Sequence, residues 1–270
     1  MNKILHLAAF AVALAATSCT TCNQQPTEEV LTKQDVDKNV REFVYPLPTA
    51  FQVTDMLNRI EAAYIIDICN DQANAERYLT ESKRALNLGI YSADLCYAST
   101  YNQQANVMEY TEVIKKLIDE LDMTKAVDPE LPSKLEGNEN NKDESTQLIS
   151  EAFYDCYDYL NKNDRSPVAI MVVAGSWIEG LYIATHISEY TFDNKEMVKI
   201  IMTQKEPLDK LMDLLAKYPG NSNVEPLRTS LEPLHAIYNS IDESGISEEQ
   251  SNNIKVIISA IRKNIVDYNN

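Results

Sequence analysis

Apolar residues recur at every third or fourth position along most of this chain, the spacing of a helix that buries one face. In the first clear run, Val53, Leu57, Ile60 and Tyr64 follow this spacing, and Thr49 stands where a helix N-cap is expected. No segment alternates like a half-buried strand. The pattern predicts helices near 50–69, 73–101 (interrupted near Gly89), 105–121, 145–162, 166–188, 194–217, 223–241 and 247–267. The expected fold class is therefore an all-α bundle of about eight helices.

The segment 122–143 breaks this periodicity. It holds Pro129 and Pro132, followed by a polar run at 136–141 with little to bury. Its oxygen-rich side chains suggest a calcium loop, but the spacing of the acidic residues and the position of Gly137 do not fit an EF-hand. We therefore expect a flexible linker near 122–143 within a single helical domain.

A faint internal repeat relates two of the predicted helices. Residues 89–92 and 95–99 align with 175–178 and 181–185 at a constant offset of 86, and both segments begin with glycine. Two related helical units packed face to face would produce such matches. Chance similarity between amphipathic helices explains them equally well, so both interpretations stay open.

The N-terminal residues have the composition of a secretory signal. Lys3 precedes an apolar run of thirteen residues, Ile4–Ala16, and small residues then lead to Cys19. This cysteine stands where a bacterial lipoprotein accepts its lipid, although leucine is usual at the position of Ala16 and ordinary signal peptidase is an alternative. The expected organisation is a signal peptide at 1–18, a lipidated tether at 19–44 and a helical domain at 45–270.

Composition narrows the range of partners. A net charge of −17 at pH 7 opposes binding to nucleic acid and to anionic lipid surfaces. We therefore expect membrane contact only through a lipid on Cys19, with the rest of the chain in water. Cys69, Cys96 and Cys156 stand among apolar helical residues, so buried thiols are favoured over disulfides.

The segment 168–187 is apolar and carries only two ionisable residues, Glu179 and His186. It is long enough to cross a bilayer, but a carboxylate at its centre would be costly there. A central helix buried by its neighbours is the better interpretation. On such a helix, Tyr182, His186 and Glu189 lie on the same side as Glu179.

Asp94 occupies a similar isolated position in the earlier repeat segment, so Asp94 and Glu179 would approach each other if the two helices pack together. The candidate buried polar site consists of Asp94, Glu179, Tyr182, His186 and Glu189. The favoured interpretation is a structural network, because a buried carboxylate must find a partner or take up a proton. An enzyme that uses Glu179 as a buried acid is a further alternative.

A metal is the other interpretation of this site. His186 and Glu189 stand one helical turn apart, as ligands do in helical-bundle metal centres. Glu232 and His235 have the reverse order at the same spacing, although nothing in the sequence brings the two pairs together. No phosphate-binding loop or nucleophile elbow is present in the sequence, and no catalytic residues are indicated.

Two resemblances follow from these motifs. Residues 184–190 resemble the Gly-x-His-x-x-Glu motif of imelysin-type helical lipoproteins, which are linked to iron, with Ala184 in place of the glycine. This resemblance implies metal-binding roles for His186 and Glu189 only. The relaxed lipobox, the Tyr-Pro-Leu-Pro run at 45–48 and the Gly-x-Trp-x-Glu-Gly segment at 175–180 resemble uncharacterised helical lipoproteins of Bacteroidetes-type bacteria, which implies no activity.

The sequence therefore predicts a lipoprotein of the bacterial cell envelope, anchored in the outer membrane, that is not an enzyme and needs no cofactor. We expect a helical binding or scaffold module for a protein or small-molecule partner. The alternative is a lipoprotein that binds a divalent or iron-type metal through its His-x-x-Glu pair.

Overall fold

The computed structural model describes residues 50–138, 141–187, 191–242 and 245–267. The predicted signal peptide, Cys19 and the tether lie outside these ranges. Within them the chain forms ten α-helices and no strand, which confirms the all-α class. The helices are α1 Ala50–Arg59, α2 Glu81–Thr100, α3 Gln104–Glu120, α4 Leu131–Gly137, α5 Lys142–Lys162, α6 Ser166–His186, α7 Lys195–Met202, α8 Lys205–Ala216, α9 Val224–Asn239 and α10 Glu248–Val266.

Two long helices, α2 and α6, cross at the centre of the bundle and are buried along most of their length. Helices α1 and α5 each pack against both of them, α3 packs against α2, and α10 packs against α6 and α9. By length and composition alone α6 could cross a membrane, but 94 % of its most apolar stretch is buried inside the fold. This burial agrees with the interpretation of 168–187 as a central core helix.

Glycine sets the separation of the two central helices. A Cβ on Gly89 would lie 2.0 Å from the carbonyl oxygen of Val172, and one on Gly175 would lie 2.0 Å from that of Leu86. Only glycine therefore fits at these positions. The interruption predicted near Gly89 is wrong, because this glycine makes a helix contact and does not end the helix.

The two glycine contacts obey the offset of 86 that relates the repeated segments, so the repeat has a structural counterpart. The segments 89–99 and 175–185 face each other across the crossing of α2 and α6. Each central helix also packs against the helix that precedes the other, since α1 contacts α6 and α5 contacts α2. This arrangement is the face-to-face packing that the hypothesis of two related units required.

The first helix is shorter than its periodicity predicts. It ends at Arg59, because Glu61 adopts a left-handed backbone conformation with φ of 58°. The Tyr97 hydroxyl then holds the departing chain, accepting from the Ile65 N–H at 3.0 Å and donating to the Ala63 carbonyl at 3.2 Å. Two short 3-10 helices, Ile66–Ile68 and Gln72–Arg77, replace the predicted continuation.

The helix predicted at 194–217 is divided into α7 and α8. Pro207 lies in the first turn of α8, where its missing N–H removes the hydrogen bond that a continuous helix would need at this point. The side chain of Asn194 caps α7. Ser247 and Gln250 form a capping box at the start of α10.

The segment 122–143 differs from the linker that we predicted. Thr124–Ala126 forms a 3-10 turn and α4 follows, with Met123 and Leu135 buried. One face of this segment packs against α3 and α5. Its apolar positions, Met123, Val127, Leu131 and Leu135, recur every four residues, a helical spacing that the two prolines obscured.

Candidate functional site

The helix crossing encloses a group of ionisable side chains that we call the polar core, formed by Asp94, Glu179 and Arg262. Asp94 of α2 and Glu179 of α6 are both 0 % exposed. Arg262 of α10 extends to them with a side chain that is 11 % exposed. The structure therefore brings together the two carboxyls that the sequence placed on facing helices, and adds a cation.

Arg262 neutralises Glu179 through a bidentate ion pair. Its Nε donates to Glu179 Oε2 at 2.6 Å, and its Nη2 donates to Oε1 at 2.8 Å and to the Ile68 carbonyl at 3.0 Å. The guanidinium carbon lies 4.2 Å from the centroid of the Tyr182 ring, which adds a cation–π contact. Both oxygens of Glu179 are thus occupied, which leaves no free carboxyl at this position.

Asp94 is the second buried carboxyl of the polar core. Its Oδ2 accepts from the Asn70 N–H at 3.1 Å, whereas no donor within the described ranges reaches Oδ1. Burial, and then the negative charge of Glu179, raise the pKa of Asp94 well above its ordinary value, which favours the protonated form of this carboxyl.

Tyr182 and His186 extend this polar network toward the C-terminal end of α6. Their rings stack with centroids 4.0 Å apart. His186 Nδ1 lies 2.8 Å from the Tyr182 carbonyl, which can only accept, so Nδ1 carries the hydrogen. His186 Nε2 lies 2.9 Å from the Ser259 hydroxyl. Burial lowers the pKa of His186 to about 4, and the ring is therefore neutral at pH 7.

The described residues of the metal alternative are engaged in other contacts. Both ring nitrogens of His186 are engaged, and Glu189 lies outside the described residues. His235 Nε2 lies 2.8 Å from Asp209 Oδ1, and Glu232 is ion-paired within its own helix. In the part of the chain that the structure describes, no three His, Cys, Asp or Glu side chains are placed to hold a metal.

The polar core joins α2, α6, α10 and the loop that contains Ile68 and Asn70. A buried network of this kind ties these elements together, and it favours the structural interpretation over a reactive site. Sequence reasoning missed Arg262, although a signal exists: it stands on the apolar face of α10 beside Ile258 and Ile261. A buried carboxylate requires such a partner.

A second candidate site is a cavity of about 210 Å³ between α2, α3, α5 and the segment 124–132, which we call the apolar cavity. Its walls are mainly aliphatic and aromatic side chains, including Leu88, Leu95, Ile118, Leu131, Ile149 and Phe153. Lys115, Asp119, Thr124 and Asp128 also line it and are exposed, so they mark its opening to solvent. The sequence did not predict this site, because part of its wall is the segment that we expected to be a linker.

Comparison of the chain with known protein families, with curated proteins and with solved structures finds no match. The resemblances to imelysin-type and Bacteroidetes-type lipoproteins therefore stay predictions, and the function has to be argued from the geometry of these two sites.

Proposed function

We propose that this protein is a lipid-anchored, non-enzymatic binding module of the bacterial cell envelope whose apolar cavity holds a small apolar ligand. The observation that carries the proposal is a preformed cavity of about 210 Å³ that is lined by apolar side chains and opens to solvent. Binding pockets in proteins are typically concave, apolar and preformed in this way.

The size of the cavity limits the ligand. An engineered apolar cavity of about 150 Å³ stays free of water and binds benzene. By that scale, a volume of about 210 Å³ accommodates about eight non-hydrogen atoms. This space is too small for a helix or an extended segment of a partner protein, and it suits a small ring system or a short acyl chain.

The expected affinity is modest. Burying about seven methylene groups, at about 0.8 kcal/mol each, contributes roughly 5.6 kcal/mol. This gain corresponds to a dissociation constant on the order of 0.1 mM if the cavity needs little rearrangement. A ligand with a longer chain would leave its remaining atoms at the opening, in contact with solvent.

The cavity proposal is tested by calorimetric titration of octan-1-ol into the chain from position 19 onward, with Cys19→Ser so that no detergent is needed. Ala152 lines the cavity, so Ala152→Phe is expected to fill it and weaken binding about tenfold or more. Ala236 is exposed on α9, and Ala236→Phe serves as the matched control with unchanged affinity. Equal binding by both variants, each shown to be folded, would contradict the proposal.

The envelope location rests on residues 1–18 and Cys19. Because the apolar helix α6 is buried in the core, the proposal places the membrane contact on a lipid at Cys19. Metabolic labelling with palmitate in a bacterial host is expected to modify the chain and to be lost in Cys19→Ala. Cys22→Ala provides the matched control, and label that survives Cys19→Ala would contradict the anchor.

A further inference from the structure

The interior of the apolar cavity offers a ligand no free polar group. Ser92 Oγ donates to the Leu88 carbonyl at 2.7 Å, and Thr111 Oγ1 donates to the Val107 carbonyl at 2.7 Å. Burial raises the pKa of the Cys156 thiol to about 12, so this group stays protonated and uncharged at pH 7. Because a polar ligand group placed here would lose its hydrogen bonds to water, only the apolar part of a ligand can occupy the interior.

At the opening, the acidic groups already have partners. Asp128 accepts from the Lys134 ammonium at 2.6 Å and from the Glu130 N–H at 2.9 Å. Asp119 accepts from the Thr124 hydroxyl at 2.9 Å. A ligand cation would have to compete with the Lys134 ammonium for Asp128 and with the Thr124 hydroxyl, a neutral donor, for Asp119.

Lys115 differs from every other charged group at the opening. It lines the cavity and is exposed, and it has neither an ion pair nor a hydrogen bond to any residue within the described ranges. The adjacent Lys116 is ion-paired with Glu76 and lies 3.8 Å from Glu120. The cavity therefore combines an apolar interior with one ammonium at its opening that makes no ion pair within the described ranges.

We infer that the apolar cavity binds a single-chain amphiphile with a carboxylate end, of about eight carbons or with a longer chain that extends into solvent. Its chain fills the interior among the side chains of α2, α3 and α5, and its carboxylate lies at the opening within reach of the Lys115 ammonium. This inference rests on the proposed function, because it assigns the ligand class of the same cavity.

Lys115 is expected to determine which charge the ligand carries more than how tightly it binds. An ion pair at a solvent-exposed position contributes only modestly to affinity, so we expect octanoate to bind about threefold more tightly than octan-1-ol. Octylammonium, which has the same chain and the opposite charge, is expected to bind more weakly than either because it approaches Lys115.

The test compares these three ligands by calorimetry at pH 7 on the protein used for the octan-1-ol titration. Lys115→Gln is expected to abolish the preference for octanoate, and Lys115→Glu to reverse it in favour of octylammonium. Lys125 is exposed near the opening but does not line the cavity, so Lys125→Gln makes the same change in net charge as a control and keeps the preference.

The outcomes separate the two proposals. If octan-1-ol binds and Ala152→Phe weakens it, but octanoate is no tighter than octylammonium, the inference about the carboxylate fails while the proposed function stands. If the preference for octanoate is the same in Lys115→Gln as in the unmodified protein, the inference about Lys115 fails. If none of the three ligands binds, both proposals fail.

Discussion

The polar core and the apolar cavity are both built against α2, yet they differ in what they leave for a ligand. In the polar core, Arg262 pairs with both oxygens of Glu179 and lies over the Tyr182 ring, and the side chains of Arg262 and Glu179 are 11 % and 0 % exposed. In the apolar cavity, about 210 Å³ is not filled by side chains. The hydroxyls of Ser92 and Thr111 in its wall donate to backbone carbonyls of their own helices.

This difference shows that ionisable residues in an apolar sequence are a poor guide to a binding site when they face one another. Glu179 attracts attention because a carboxylate is rare in a core, but its charge is paired with Arg262. No residue type in the sequence marks the cavity, because the cavity is a space that side chains do not fill. The polar core contributes to the packing of the bundle, and the cavity carries the binding that we propose.

The largest effect is expected from breaking the polar core with Arg262→Met. This change leaves the Glu179 carboxylate buried next to Asp94 without a cation, so we expect the free energy of unfolding to fall by about 3–5 kcal/mol. Urea denaturation measures the change. Arg228→Met is the matched control, because Arg228 forms its ion pairs on the exposed surface of α9 and should cost less than about 1 kcal/mol.

A second variant tests the mechanism behind that loss. Adding Glu179→Gln to Arg262→Met removes the uncompensated charge, so the double variant is expected to recover part of the stability. If the double variant is less stable than Arg262→Met alone, the burial of an unpaired carboxylate is not the cause.

The next effect concerns α4, whose first residues, Leu131 and Pro132, line the apolar cavity. Leu135 of α4 is 1 % exposed, and Leu135→Ala is expected to destabilise the protein by about 2–4 kcal/mol in urea denaturation. The neighbouring Lys134→Ala, at a half-exposed position, should cost less than about 1 kcal/mol. A loss below that value at Leu135 would mean that this segment behaves as the linker that the sequence suggested and that α4 is not packed into the bundle.

The two regions differ in how much of them could be predicted from the sequence. Helical periodicity predicts α5, α6, α9 and α10 to within a few residues, and the facing of Asp94 and Glu179 follows from the repeated segments. Arg262 could have been inferred only by asking which basic residue falls on an apolar helix face. The cavity was beyond prediction, because its volume depends on how α3, α4 and α5 come together in space.

Local conformation also escaped prediction where a tertiary contact overrides helix propensity. The chain leaves the helical conformation after Arg59, although the apolar spacing continues, because Tyr97 binds the backbone at 63 and 65. At Gly89 we predicted an interruption, and the helix continues. Glycine weakens a helix, but the close approach of the Val172 carbonyl oxygen requires it at this position.

An effect of opposite sign is expected when the Asp94 carboxyl is replaced by a neutral group. Asp94→Asn has a similar shape and can still accept from the Asn70 N–H, so stability at pH 7 should rise by about 1 kcal/mol or more. Because the pKa of Asp94 is raised in the folded protein above its unfolded value near 4, the unmodified protein loses stability as the pH rises from about 4 until the raised pKa is reached. Denaturation at pH 5 and 7.5 measures this.

The variant and a control separate this cause from general charge effects. Relative to the unmodified protein, Asp94→Asn should become more stable as pH rises from 5 to 7.5. Asp213→Asn, at an exposed position on α8, should show no such trend. A gain for Asp94→Asn that is larger at pH 5 than at pH 7.5 would contradict a protonated Asp94.

The smallest expected effect is at the end of the polar network, where His186 has the opposite dependence on pH. Burial lowers the pKa of His186 to about 4, below its unfolded value near 6.5, so its contribution to stability is present above pH 6.5 and is lost as the pH falls toward 4. Because the ring is partly exposed, solvent screening limits the loss to about 1 kcal/mol or less. The imidazole resonances in an NMR titration should stay those of the neutral ring down to about pH 5. Titration near pH 6.5 would show that His186 is not held in its buried contacts with the Tyr182 carbonyl and the Ser259 hydroxyl.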